Sequence, residues 1–99
     1  MEGAPMIRIA AKQLIREDSI EQFQKLAKKL ADVAVTEEGN CSYALARSID
    51  NPQAFCVFEA WESMEAVQKH MDSELFQTLA PQMGELFAAE PSLEIYEEV

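Results

Sequence analysis

The run Ala54 to Trp61 (Ala-Phe-Cys-Val-Phe-Glu-Ala-Trp) is apolar at both alternating sets of positions and is broken only by Glu59. A strand of that kind has to be covered on both sides, which places it centrally in a sheet. The chain has 99 residues, the size of one domain, so whatever covers the two faces of that sheet decides the fold. Helices of the same chain can cover one face. A domain this small buries only about two-thirds of the surface its unfolded chain exposes, so a second copy is the expected cover for the other.

The flanking segments supply the helices and the remaining strands. Met6 to Arg16 opens with apolar-polar alternation and carries β-branched Ile7, Ile9 and Ile15, which predicts a first strand. Ser19 and Gln22 have capping-box spacing, and Ile20, Phe23, Leu26, Ala27, Leu30, Ala31 and Ala34 then recur at helical steps. Gly39, free to take a left-handed conformation, ends that helix. Cys41 to Ser48 is a second strand, and Asp50-Asn51-Pro52 turns it into the apolar third. Ser63 and Ser73 each head a short helical piece. Pro81 predicts a break near Ala80, and Leu93 to Tyr96 alternates as a last strand.

Strand, helix, strand, strand, helix, strand is an α+β, ferredoxin-like β-α-β-β-α-β order: a four-stranded antiparallel sheet with its helices on one face. Residues 6–99 form the single domain and residues 1–5 a disordered or extended tail. The open sheet face is the expected homodimer surface.

Charge narrows the function. The net charge is −10, and it is uneven: Met1 to Asp50 has seven basic and eight acidic residues, Asn51 to Val99 only Lys69 against ten acids. No basic stripe exists to displace counterions from phosphates, which argues against nucleic-acid binding. The start Met1-Glu2-Gly3-Ala4-Pro5 has no leader pattern and no apolar run approaches the ~20 residues of a membrane span, so the expected location is the cytoplasm, with no membrane partner. A turn at Asp50-Asn51-Pro52 sets Cys56 opposite Ala46, about five residues from Cys41, too far for a disulfide. With one histidine and no Cys-x-x-Cys, no metal site is expected.

Glu37-Glu38-Gly39-Asn40-Cys41-Ser42-Tyr43, then Phe55-Cys56-Val57-Phe58-Glu59-Ala60-Trp61-Glu62-Ser63 with Ala66, His70, Ser73 and Phe76, resembles the antibiotic biosynthesis monooxygenase family of dimeric α+β barrels. The resemblance covers nearly the whole chain from Met6. It implies a small-molecule pocket between helices and sheet, and one of several activities: oxygenation of quinols or phenols without metal or flavin, isomerisation of a phosphorylated sugar, or haem degradation. Family members often carry a further histidine where this chain has Leu75, and the haem-degrading branch needs one where Leu79-Ala80-Pro81-Gln82 stands. The leading expectation is therefore a cofactor-independent monooxygenase of a quinol-like or phenolic substrate. The alternatives are a non-catalytic dimeric binding module, and the isomerase if Arg8, Arg16 and Arg47 converge on a phosphate.

Within that reading His70 is the candidate base, since imidazole titrates near neutrality; the plainer alternative is a helix-end histidine. Glu59, a carboxylate in a central strand, needs a partner, with His70, Tyr43 and Arg47 in range. If Tyr43 faces Glu59 across the hairpin, both share a face with Trp61. Tyr43 and Glu59 are taken as orienting groups, and Trp61, Phe76, Arg47 and Leu75 as substrate contacts. No Gly-x-Gly-x-x-Gly or other cofactor motif is present, so no cofactor is expected.

Overall fold

A computed structural model describes residues 5–99 as β1 (Ile7–Leu14), a single 3-10 turn (Glu17–Ser19), α1 (Ile20–Ala34), β2 (Asn40–Arg47), β3 (Ala54–Trp61), α2 (Met64–Asp72), α3 (Glu74–Gly84) and β4 (Ser92–Glu97). The strands form one antiparallel sheet in the order β2-β3-β1-β4, the ferredoxin-like arrangement, with the apolar β3 in the interior as its two-sided hydrophobicity requires. The expected tail lies outside the described residues except for Pro5, which has no regular structure.

Two local expectations are corrected. Ser19 precedes α1 but makes no capping bond; its hydroxyl donates to Asp18 Oδ1 at 2.9 Å, because the chain enters the helix through the 3-10 turn. Pro81 does not break α3, which runs through it to Gly84. Proline removes one hydrogen bond there, and packing on both sides holds the helix: Leu79 is buried, and Met83 packs against the Phe23 cluster. The two serine caps do form. Ser63 Oγ accepts from the Ala66 amide and Ser73 Oγ from the Phe76 amide, both at 3.2 Å, each contributing about 1 kcal/mol.

Register sorts the side chains. Tyr43, Glu59, Ile9 and Ile95 form one row across the sheet, and Arg47, Phe55 and Gln13 another, both facing the helices. Cys56 pairs with Ala46, and both cysteines are free thiols. Phe58 and Tyr96 stand exposed on the opposite face.

Beneath the helices the core divides in two. Ile7, Ile9, Trp61, Ala66 and Val67 pack at one end; Ile15, Phe23, Ala27, Phe55 and Leu86 pack at the other, where the Phe23 and Phe55 rings lie 5.0 Å apart. Ala11 on the sheet and Ala27 and Ala80 on the helices are too short to bridge the gap, and the space between the clusters stays open. The loop after α1 clamps this end of the molecule. Gly39 has φ +82° and lies so close to α2 that a Cβ there would stand 2.5 Å from the Ala66 Cβ, while its carbonyl accepts from the Glu62 amide at 2.8 Å.

Candidate functional site

The open space is a cavity of about 250 Å³, walled by Ile9, Ala11 and Gln13 of β1, Val57 and Glu59 of β3, Tyr43 of β2, and residues of the three helices including His70 and Phe76. Leu93 and Ile95 of β4 complete the wall, and both are exposed. The volume falls just below the usual ~300–1,000 Å³ of ligand pockets. Its lining is mainly apolar, with few polar groups: Tyr43, Glu59 and His70 toward one end, Gln13 and Ser92 toward the other.

His70 is the most confined of them. Only 3% of it is exposed, and its ring is surrounded by Trp61, Phe76 and Tyr43 at centroid distances of 4.9, 5.1 and 5.5 Å. Its carbonyl accepts the Ser73 hydroxyl at 2.7 Å, which fixes the end of α2. On the ring, Nδ1 lies 2.6 Å from Glu37 Oε1, just under the range of about 2.7–2.9 Å for a charge-assisted bond from nitrogen to a carboxylate. Because a carboxylate can only accept, Nδ1 carries the proton. The second ring nitrogen, Nε2, is buried and has no partner among the described residues.

Glu37 reaches His70 because the loop it occupies is pinned to α2 by Gly39. Neighbouring Glu38 meets Lys69 at 3.3 Å, but that pair is solvent-exposed and contributes roughly 0–1 kcal/mol at most. Glu59 faces Tyr43 directly across the hairpin. Its Oε1 accepts from Trp61 Nε1 at 2.9 Å, a partner outside the three that the sequence suggested. Burial pushes the Glu59 carboxyl above its ordinary value, opposed by the indole N–H and by nearby His70. Burial, and then the charges of Glu59 and Glu37, hold the Tyr43 phenol well above its ordinary value. Tyr43 is therefore a neutral hydrogen-bonding group.

Four of the seven anticipated residues, His70, Glu59, Tyr43 and Phe76, line the same cavity. The other three stand elsewhere. Trp61 is fully buried behind Glu59 and His70, holding both rather than walling the space. The Arg47 guanidinium lies over the Phe55 ring at 5.9 Å and borders a separate groove with Lys12, Cys56 and Phe58, because Phe55 stands between it and Gln13, the member of its row that reaches the cavity. Leu75 is half-buried on α3 and is not part of the wall. Glu37 and Gln13 went unrecognised as site residues in the sequence: Glu37 precedes a left-handed glycine that turns the loop back, and Gln13 sits mid-alternation in β1. Among the described residues no three His, Cys, Asp or Glu side chains are grouped to hold a metal ion.

The family model for antibiotic biosynthesis monooxygenases matches residues 6–82. The chain belongs to the antibiotic biosynthesis monooxygenase family. Solved structures agree with that assignment. A conserved protein from Methanosarcina mazei Go1 is 25% identical over 97% of this chain and 95% of its own, with a TM-score of 0.93. A candidate antibiotic biosynthesis monooxygenase from Caulobacter crescentus CB15 is 28% identical over 97% and 92%, at TM-score 0.91. A conserved protein of unknown function from Bacteroides thetaiotaomicron VPI-5482 is 27% identical over 97% and 100%, at 0.90. No curated protein matches the sequence. In this family member no helix among the described residues is long and apolar enough to cross a membrane.

Proposed function

We propose that the protein is a cofactor-independent monooxygenase of a quinol-like or phenolic small molecule. The observation that carries the reading is the Glu37–His70 pair, with the Nε2 lone pair unpartnered on a residue lining an apolar cavity. His70 Nε2 takes the phenolic proton, and Glu37 stabilises the resulting imidazolium. The phenolate, desolvated among Ile9, Val57, Val67 and Phe76, is electron-rich enough to pass an electron to dioxygen. Balance is met by the substrate itself: a phenol and dioxygen yield a quinone and water, one oxygen atom entering the ring and the other leaving as water. Tyr43 donates to a substrate oxygen, and Glu59, held by Trp61, orients the ring.

Two observations weigh against the other readings. Glu59 and His70 line one cavity, whereas a mere binding module would not need them together. The three arginines that an isomerase would gather on a phosphate are dispersed: Arg8 pairs with Glu98 at 2.7 Å, Arg16 bonds the Glu85 carbonyl, and Arg47 lies over Phe55.

The working unit in this reading is a homodimer joined through the open sheet face, where Phe58 is 53% and Tyr96 56% exposed beside the small Ala44 and Ala46. Two free thiols suit a reducing compartment, the cytoplasm. The test is oxygen uptake across a panel of quinols and naphthols, with sedimentation on the same material. His70→Ala should lose about 100-fold or more of the rate, the scale of a positioned general base. Equal rates for His70→Ala and wild type would refute the reading.

A further inference from the structure

One residue joins two of the helices that roof the cavity. α2 ends at Asp72 and α3 begins at Glu74, so Ser73 alone lies between them, with extended backbone at φ −64° and ψ 151°. From α2 the wall takes Val67, His70 and Met71, and from α3 Phe76, Ala80 and Met83. Whatever sets the angle at Ser73 therefore sets where the imidazole stands against the rest of the wall.

The Ser73 hydroxyl works in both directions. It donates to the His70 carbonyl at 2.7 Å and accepts from the Phe76 amide at 3.2 Å, and these are the two residues whose rings meet edge to face at 5.1 Å. The Ser73 amide also donates to the His70 carbonyl, at 3.2 Å, so both donors of this residue converge on His70. A helix start by itself asks for less: an acceptor suffices, and aspartate and asparagine cap as well as serine does. A hydroxyl adds, through the same atom, a proton to donate to a carbonyl. A second tie across the joint, from Gln77 Nε2 to the Met71 carbonyl at 2.7 Å, is exposed and involves neither His70 nor Phe76.

We infer that Ser73 is a positioning residue: through one hydroxyl it holds the backbone of His70 and the start of α3 in the arrangement that brings the imidazole against the Phe76 ring. The inference rests on the monooxygenase reading for its effect on rate, and on the geometry alone for its effect on the two rings. Glu37 fixes the imidazole from the loop side, through Nδ1; Ser73 fixes the backbone from which that ring projects. Without the donated bond the end of α2 frays and the ring shifts with it, and a misplacement on the order of 1 Å costs about 100-fold in rate. The Gln77 tie keeps the two helices together when the Ser73 bonds are removed.

Three substitutions separate holding His70 from capping α3. Ser73→Thr keeps both bonds; Ser73→Asp, at pH 8, keeps an acceptor for the Phe76 amide and has nothing to donate; Ser73→Ala keeps neither. The chain has one histidine, so proton NMR reads the His70 ring directly, through its nuclear Overhauser effect to Phe76. A capping role alone predicts that alanine melts about 4–8 °C below wild type, that aspartate recovers most of this, and that the aspartate protein is otherwise normal. Holding His70 predicts that aspartate, although folded, loses intensity in the His70–Phe76 effect and falls about 10-fold or more in oxygen uptake. Alanine, which adds no charge beside the imidazole, should lose both as well, and threonine should retain both. A folded aspartate or alanine protein whose ring contact is undiminished overturns the inference, and so does one that takes up oxygen at the wild-type rate. If wild type takes up no oxygen with any quinol or naphthol, the monooxygenase reading fails, and the ring contact by itself decides the role of Ser73.

Discussion

Removing the Glu37 carboxylate tests the site where stability and chemistry meet. In wild type His70 is 3% exposed, and its single side-chain hydrogen bond is the 2.6 Å contact from Nδ1 to Glu37. Nε2 already lacks a partner, so Glu37→Ala leaves both ring nitrogens of a buried imidazole unpaired. An orphaned buried donor costs roughly 1–3 kcal/mol. The Glu37 side chain is 21% exposed, so entering water can recover part of this, and the lower half of the range is the better expectation. For a domain of this size each kcal/mol moves Tm by about 4–8 °C, which gives a fall of roughly 4–16 °C. Glu37→Gln keeps a carbonyl acceptor for Nδ1–H, so its fall should be under half that of alanine. Scanning calorimetry at neutral pH measures both. In the oxygen-uptake assay the order should repeat, wild type above glutamine above alanine, because the carboxylate both fixes the tautomer and stabilises the imidazolium. A Glu37→Ala protein that melts within about 1 °C of wild type would refute the pairing, since no buried donor in this setting is lost so cheaply.

Other outcomes follow from the same geometry. Burial raises the folded-state value of Glu59 above its ordinary 4.5, so folding favours its protonated form, and that contribution is present below pH 4.5 and lost as pH rises through the folded value. Glu59→Gln, which keeps an oxygen for Trp61 Nε1, should therefore melt above wild type at pH 8 and level with it at pH 4; an offset independent of pH would contradict the assignment. Gly39→Ala combines a left-handed backbone at φ +82° with a Cβ contact of 2.5 Å to Ala66, costing about 1–2 kcal/mol for the first and about 1–3 for the second. A denaturation double-mutant cycle with Ala66→Gly should recover only the contact portion, and strict additivity of the two changes would show that the close approach carries no energy.

The order of elements was legible in the chain because each part of it is governed by local chemistry. The two-sided run from Ala54 to Trp61 announced an interior strand, and Ser63 and Ser73 announced two helix starts that form with the expected bonds. The turn residues Asp50-Asn51-Pro52 set a register that pairs Tyr43 with Glu59 and Cys56 with Ala46. Local rules failed where tertiary packing overrode them. Ser19 has the right spacing for a capping box but turns to Asp18, and Pro81 sits inside a helix held by Leu79 and Met83.

The site itself was only half visible. His70 and Glu59 stood out as residue types unusual for their positions, Tyr43 and Phe76 belonged to the stretches that carry the family resemblance, and all four line the cavity. No local pattern joins Glu37 to His70, because the contact spans 33 residues and depends on a left-handed glycine pressing one loop against a helix. Nor does the spacing of alanines on three separate elements tell that Ala11, Ala27 and Ala80 leave a common void. Periodicity and side-chain type determine which face of an element is apolar; how two faces meet, and where they fail to fill the space between them, is a property of the assembled volume alone.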